Sequence, residues 1–138
     1  MYKNNWVAIY NILNGLVVST KLTAVYNYDV KQVDTYPIAK ISVNDWLNDF
    51  LDTHTNELTT NYKVSIINQA NNTLNSEAVI RELVDNIILE FNKQNNITLG
   101  WSVERMKITT ISWGWGESNE PLRICEINIE ILETIEII

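Results

Sequence analysis

Residues 75–91, NSEAVIRELVDNIILEF, decide how the chain is read. Their apolar members, Ile80, Leu83, Val84, Ile87, Ile88 and Phe91, follow the i, i+3, i+4, i+7, i+8, i+11 series of a helix burying one face. Asn75 or Ser76 is placed to accept from the free N–H groups of the first turn, and Glu77 suits the positive end of the helix dipole. The polar run 92–96 then stops the helix, with Lys93 at the end that favours a cation. So one-sided a helix requires a broad apolar surface. The flanking segments alternate like strands, so the expected surface is a sheet.

Upstream of this helix, residues 62–69 set Tyr62, Val64 and Ile66 against Lys63, Ser65 and Ile67, a strand. Residues 36–43 put Pro37, Ala39, Ile41 and Val43 on one side, with the proline tolerated at a first strand position or an edge. Between them, residues 44–57 are the least regular part. There Trp46, Leu47, Phe50 and Leu51 fit one helical turn or a loop pinned by aromatic anchors. Residues 21–30 alternate again, with Leu22, Ala24, Tyr26, Tyr28 and Val30 sharing a face. Residues 5–18 carry a second helical stripe, Trp6, Ile9, Tyr10, Leu13, Leu16 and Val17, whose last turn Gly15 weakens.

Downstream, residues 97–103 and 107–113 read as strand-like pieces and 114–121 as a turn-rich connection. Residues 123–137 show the clearest alternation, with Cys125, Ile127, Ile129 and Ile131 inward and Glu126, Asn128 and Glu130 outward. The predicted fold is one α+β domain over residues 1–138. It is a mainly antiparallel sheet of about five to six strands with two amphipathic helices packed on one face.

The chain has 138 residues, 46% hydrophobic and 20% charged, the composition of a globular protein with its own core. The first residues lack the apolar core and cleavage site of a signal peptide, and no run approaches the roughly 20 apolar residues that span a bilayer. Synthesis in the cytoplasm and no membrane partner are the expectation. The single Cys125 cannot form an internal disulfide. A net charge of −7 argues against tight binding of nucleic acid, which depends on clustered Lys and Arg. Acidic residues punctuate two regions, Asp29, Asp34, Asp45, Asp49, Asp52 and Glu57 in one, and Glu117, Glu120, Glu126, Glu130, Glu133 and Glu136 in the other. They form either a solvated surface or one that repels DNA or meets a basic partner.

Candidate chemistry is sparse. Asp49, Asp52 and His54 are the only metal-ligand residue types at close spacing, with no second His or Cys to complete a zinc-type site. No Gly-x-Ser-x-Gly elbow and no phosphate-cradling glycine loop occurs. Cys125 lies at an inward strand position, where a small core residue is expected and not a nucleophile. The chain is predicted not to be an enzyme and to use no cofactor. Trp113-Gly-Trp115-Gly is the most distinctive local feature. In an extended strand the two indoles project to one side about 7 Å apart. They then cap the core edge, anchor a protein interface, or form a stacking platform for a sugar or base.

The order of these features resembles the tail terminator (tail-completion or neck terminator) proteins of tailed bacteriophages and related contractile particles. The resemblance runs over most of the chain. It rests on the helix ending in residues 13–18, the segment AVYNY at 24–28, and TYPI at 35–38 opening the second strand. It continues through the polar stretch 56–61, the strand 62–67, the helix 75–91, the aromatic-glycine turn at Trp113, and Arg123 leading a final strand of alternating Ile and Glu. The resemblance implies a structural virion protein of the tail or neck, assembled in the bacterial host cytoplasm. Such a protein forms a ring, commonly a hexamer, on the last ring of tail-tube protein and ends tube polymerisation. It offers its other side to the head-neck connector or adaptor, and DNA passes through the lumen without being read. The family implies no catalytic residues. The residues expected at interfaces are Asp45, Trp46, Asp49, Asp52, Glu57, Trp113, Trp115, Glu117 and Arg123. Two other readings stand beside it: a neighbouring neck component (a head-completion or head–tail joining protein), and a small carbohydrate- or ligand-binding domain using Trp113 and Trp115.

Overall fold

The helix that organises the sequence runs from Thr73 to Phe91 and is α2 of the fold. The structure, a computed structural model, describes residues 2–28, 33, 35–50, 55–70, 73–93, 105–116 and 121–136. Because α2 opens at Thr73, Asn75 and Ser76 sit within its first turn and do not cap it. Ser76 instead offers its carbonyl to the Asn68 Nδ2 donor at 3.1 Å, which ties the start of α2 to the strand before it.

The remaining elements are α1 (Tyr2–Ser19), β1 (Ala24–Tyr26), β2 (Ile38–Phe50), β3 (Thr55–Gln69), β4 (Arg105–Gly116) and β5 (Leu122–Glu136). The five strands form one sheet in the order β1-β2-β3-β5-β4. Only the β1–β2 pair is parallel; β2–β3, β3–β5 and β4–β5 are antiparallel. The fold is α+β, with a mostly antiparallel sheet.

One face of this sheet and both helices share a core. Tyr62, Val64 and Ile66 of β3 stand opposite Ile129, Ile127 and Cys125 of β5, and all six are fully buried. Onto them come Ile80, Leu83, Val84, Ile87 and Phe91 from α2 and Ile9, Leu13 and Leu16 from α1. The apolar sets expected on 62–69, 75–91 and 123–137 are buried except for the half-buried Ile88, and Ser65, Ile67, Asn68 and Glu133 are buried as well. Helix α1 packs on β1 and β2, whereas α2 packs on β3, β4 and β5.

Four readings change. Residues 44–57 are neither a helical turn nor a loop over their described part: β2 continues to Phe50 and β3 begins at Thr55. The cause is a β-bulge between Val43 and Asp45, which shifts the pairing by one residue. A period-two pattern read through Asn44 therefore loses its phase, and the strand on the far side looks irregular. Among the described residues of the segment 21–30 only Ala24–Tyr26 pairs as a strand, and the buried ones are Leu22 and Val25. The single alternating face fails there because the Thr23 N–H and hydroxyl both donate to the Pro37 carbonyl, at 2.9 and 2.8 Å. Val43 is exposed and does not join Ala39 and Ile41 in the core. Finally, β4 runs through to Gly116, so the first part of the expected 114–121 turn is strand. The strand expected at 97–103 lies outside the described residues.

The strands outrun α2. From Ser76 to Phe91 the helix rises about 22 Å, the length of roughly seven strand residues. It starts beside Asn68, and β3 runs fifteen residues to Thr55, paired on both sides. This end of the sheet carries Asp45, Asp49 and Glu57 on β2 and β3 with Glu133 and Glu136 on β5, and Arg105 at the start of β4 opposite Leu132.

Candidate functional site

The β4–β5 hairpin builds the most organised cluster on the surface. Its register sets Trp115 opposite Arg123 and Trp113 opposite Cys125, so both indoles and the guanidinium share the helix-covered face of the sheet. Strand β4 is at the sheet edge, beyond full cover by α2, and Ile111, Trp113 and Trp115 are exposed there, Trp115 by 64%. The expectation that the two indoles project to one side holds.

Arg123 lies against both rings, its Cζ 5.0 Å from the Trp113 centroid and 4.8 Å from that of Trp115. The same guanidinium donates through Nη1 to the Gly114 carbonyl at 3.2 Å and through Nε to Glu77 Oε2 at 3.1 Å. Glu77, on the first turns of α2, also accepts from Arg81 Nε at 3.0 Å. Burial pushes the Glu77 carboxyl up, but the hydrogen bonds and charges of Arg123 and Arg81 outweigh it and hold the group below its usual value. A planar, fully charged guanidinium matches this job: it stacks on aromatics and forks onto a carboxylate together. The result is a pair of large, exposed aromatic side chains with few free rotamers.

Gly116 belongs to the same hairpin by close approach. A Cβ there would come within 2.8 Å of Ile124 Cδ1 and 3.2 Å of Leu122 Cβ, so a larger residue would require the Ile124 side chain to turn aside and Leu122 to give slightly. Gly114 has no such neighbour.

The other expected interface residues do not join this cluster. Asp45 is on the exposed face of β2, directly after the bulge, and accepts from Asn61 Nδ2 at 2.6 Å. Trp46 and Asp49 occupy β2 positions opposite Thr60 and Glu57. Glu57, half-buried, pairs on its other side with Thr134. Asp52, His54 and Glu117 lie outside the described residues. The candidate set therefore splits into an aromatic–arginine edge on β4–β5 and an acidic arm on β2–β3.

Glu77 and Arg81 are the members that sequence reasoning missed. A hairpin turning near residue 119 is enough to bring Arg123 opposite Trp115, so that pair was within reach. Glu77 is 46 residues from Arg123 in the chain, and only the seating of α2 on the sheet brings them together.

Cys125 is fully buried beneath this edge, and desolvation pushes its thiol up to about 11. The charge of Arg123 opposes that shift and Glu126 adds to it. The thiol stays protonated near neutral pH. Among the described residues no group of three or more His, Cys, Asp or Glu could hold a metal ion, and no helix is long and apolar enough to cross a membrane. The opposite face of the sheet is a polar lane. Asn128 accepts from Asn44 Nδ2 at 3.2 Å and donates to the Thr110 hydroxyl at 2.7 Å, with Glu130 near Arg105 and Lys107 at 3.7 and 3.9 Å. Compared with known proteins, the chain matches no protein-family model and no curated protein.

Proposed function

We propose that the chain is a structural subunit of a phage tail or neck, forming a ring that caps the tail tube and joins it to the head-side connector. The observation that carries this reading is the β4 edge. Interface anchors are typically Trp and Arg set in a rigid frame, and here two exposed indoles are held by an arginine that is itself held by α2. Among the described residues the twelve-residue strand β4 is an edge, and an edge strand bearing such anchors suits a protein partner, because an unpaired edge invites uncontrolled pairing. The order of elements supports the reading too: the N-terminal helix, the strand at 24–26, the β2–β3 hairpin, α2, then the tryptophan strand and the Arg123 strand, each with the residues on which the resemblance rests.

The acidic arm fits the same role. A surface on which carboxylates outnumber cations repels DNA phosphates, which suits a subunit whose ring lets DNA pass without holding it. The sugar-platform alternative loses ground, because Arg123 occupies one face of each indole on which a sugar ring would stack. The test is light scattering after size exclusion on the full chain, alone and mixed with its tail-tube protein. A ring mass, alone or in the mixture, supports the reading. A monomer under both conditions that also leaves tube polymerisation unchanged overturns it.

A further inference from the structure

Among the described residues the sheet is open at both ends. One open edge is β4. The other is the far half of β2, because β1 pairs only with residues 38–40 and leaves residues 41–50 paired on the β3 side alone. The pairing register sets these two edges level with each other. On the face away from the helices, one row crosses β2, β3, β5 and β4 through Asp45, Asn61, Glu130 and Lys107. On the helix-covered face, the next row runs through Val43, Tyr62, Ile129 and Ile108. Each row starts on one open edge and ends on the other.

The row ends complement each other. The first begins with a carboxylate and ends with an ammonium group. The second begins and ends with an aliphatic side chain, Val43 exposed and Ile108 half-buried. Residues 41–50 carry Asp45 and Asp49 and no base, whereas β4 carries Arg105 and Lys107 and no acid. Asp45 is bonded by the neutral Asn61 amide, at 2.6 Å. Arg105 and Lys107 share one carboxylate, Glu130, at 3.7 and 3.9 Å, so the β4 edge keeps a surplus cation.

We infer that β4 of one copy adds to the open half of β2 in the next copy of this chain, with Lys107 beside the neighbouring Asp45 and Ile108 beside the neighbouring Val43. The inference rests on the ring reading above. Direction, charge and extent commit the edge to that occupant. Within a copy β2 and β4 run antiparallel, since three antiparallel pairs link them. Copies rotated about an axis along the strands keep their strand directions, so β4 meets the next β2 antiparallel, the pairing used by most of this sheet. Edges of opposite sign attract each other and repel their own kind, which makes the contact heterologous and closes a ring in place of a two-fold pair. Ser112 is level with Lys40, where β1 already occupies the edge of β2. The bulge between Ile108 and Thr110 comes just before that level, and a strand bends at a bulge. The new pairing therefore covers residues 105–111 of β4, and Trp113 and Trp115 stand beyond it.

The experiment uses the full chain, with its tail-tube protein where assembly needs it. Within one copy Asp45 and Lys107 are three strand spacings apart, about 14 Å, too far for a disulfide, which needs Cα atoms within about 7 Å. A chain carrying both Asp45→Cys and Lys107→Cys is expected to give a ladder of disulfide-linked multimers under mild oxidation, to which the buried Cys125 adds nothing. Either substitution alone is expected to give no link. Lys107→Glu and Asp45→Lys should each weaken assembly about tenfold, and combining them in one chain should restore most of it, which a mere folding defect would not allow. Links formed by Lys107→Cys alone or Asp45→Cys alone would mean that like edges meet, and overturn the inference. So would an assembly that neither links through the cysteine pair nor responds to the charge reversals, although the ring reading would survive it. A chain that never assembles, alone or with tube protein, removes both.

Discussion

Helices α1 and α2 are nearly alike on the side that faces the sheet and unlike on the side that faces away. Inward, Ile9, Leu13 and Leu16 of one and Ile80, Leu83, Val84 and Ile87 of the other enter a single apolar core. Outward, the 19 residues of α2 display Glu77, Arg81, Glu82, Asp85 and Glu90. The 18 residues of α1 hold one charge, Lys3, in the first turn. A solvated helix of an acidic protein has every reason to look like α2. The inward stripe tells how a helix meets its own domain, and nothing in it dictates the outward face.

The comparison breaks first if the inward faces are not equivalent. Leu13→Ala and Ile87→Ala each delete a fully buried side chain, and each is expected to cost about 2–5 kcal/mol in urea unfolding. A loss below about 1 kcal/mol for Leu13→Ala alone would mean that α1 is not part of the same core. The contrast sharpens at Glu77, the charged residue by which α2 holds the β4 edge. Glu77→Gln is expected to cost about 1 kcal/mol at pH 7, small because the ion pair is a quarter exposed.

The pH dependence of that loss has a definite sign. The folded Glu77 carboxyl is held below its ordinary value, so the unfolded chain takes up this proton first as acid is added. Its contribution is fully present above the unfolded pKa and is lost as pH falls through the folded one. Unfolding curves of wild type and Glu77→Gln should stay a constant distance apart from pH 7 to pH 5 and converge below pH 4.5. The smallest effect on stability is expected from surface charge itself. Asn14→Glu on α1 and Asp85→Asn on α2 should each move stability in urea unfolding by no more than about 0.5 kcal/mol.

Much of this fold was legible because its core-facing segments are regular. The stripe of α2 and the alternation of β5 depend only on the period of one element, which neighbouring residues reveal. The arm was not legible, because the bulge between Val43 and Asp45 and the one between Ile108 and Thr110 each change the phase of a strand without changing its composition. Thr60 is a second case. It shares the face of Tyr62, Val64 and Ile66, but its hydroxyl and the polar run 56–61 hide it; it is fully buried, and its hydroxyl has no hydrogen-bond partner among the described residues. At the candidate site, Trp113, Trp115 and Arg123 were each readable as single residues of interface type. What joins them to Glu77 and Arg81 was not.

By itself, then, the sequence determined the two inward helix faces, the inward faces of β3 and β5 and the α+β class, since burial stamps a local period on each element. Tertiary structure decided which strand lies at the edge of the described sheet and which acid meets Arg123. Those outcomes depend on register and on contacts between residues far apart in the chain, and no period within a single segment records them.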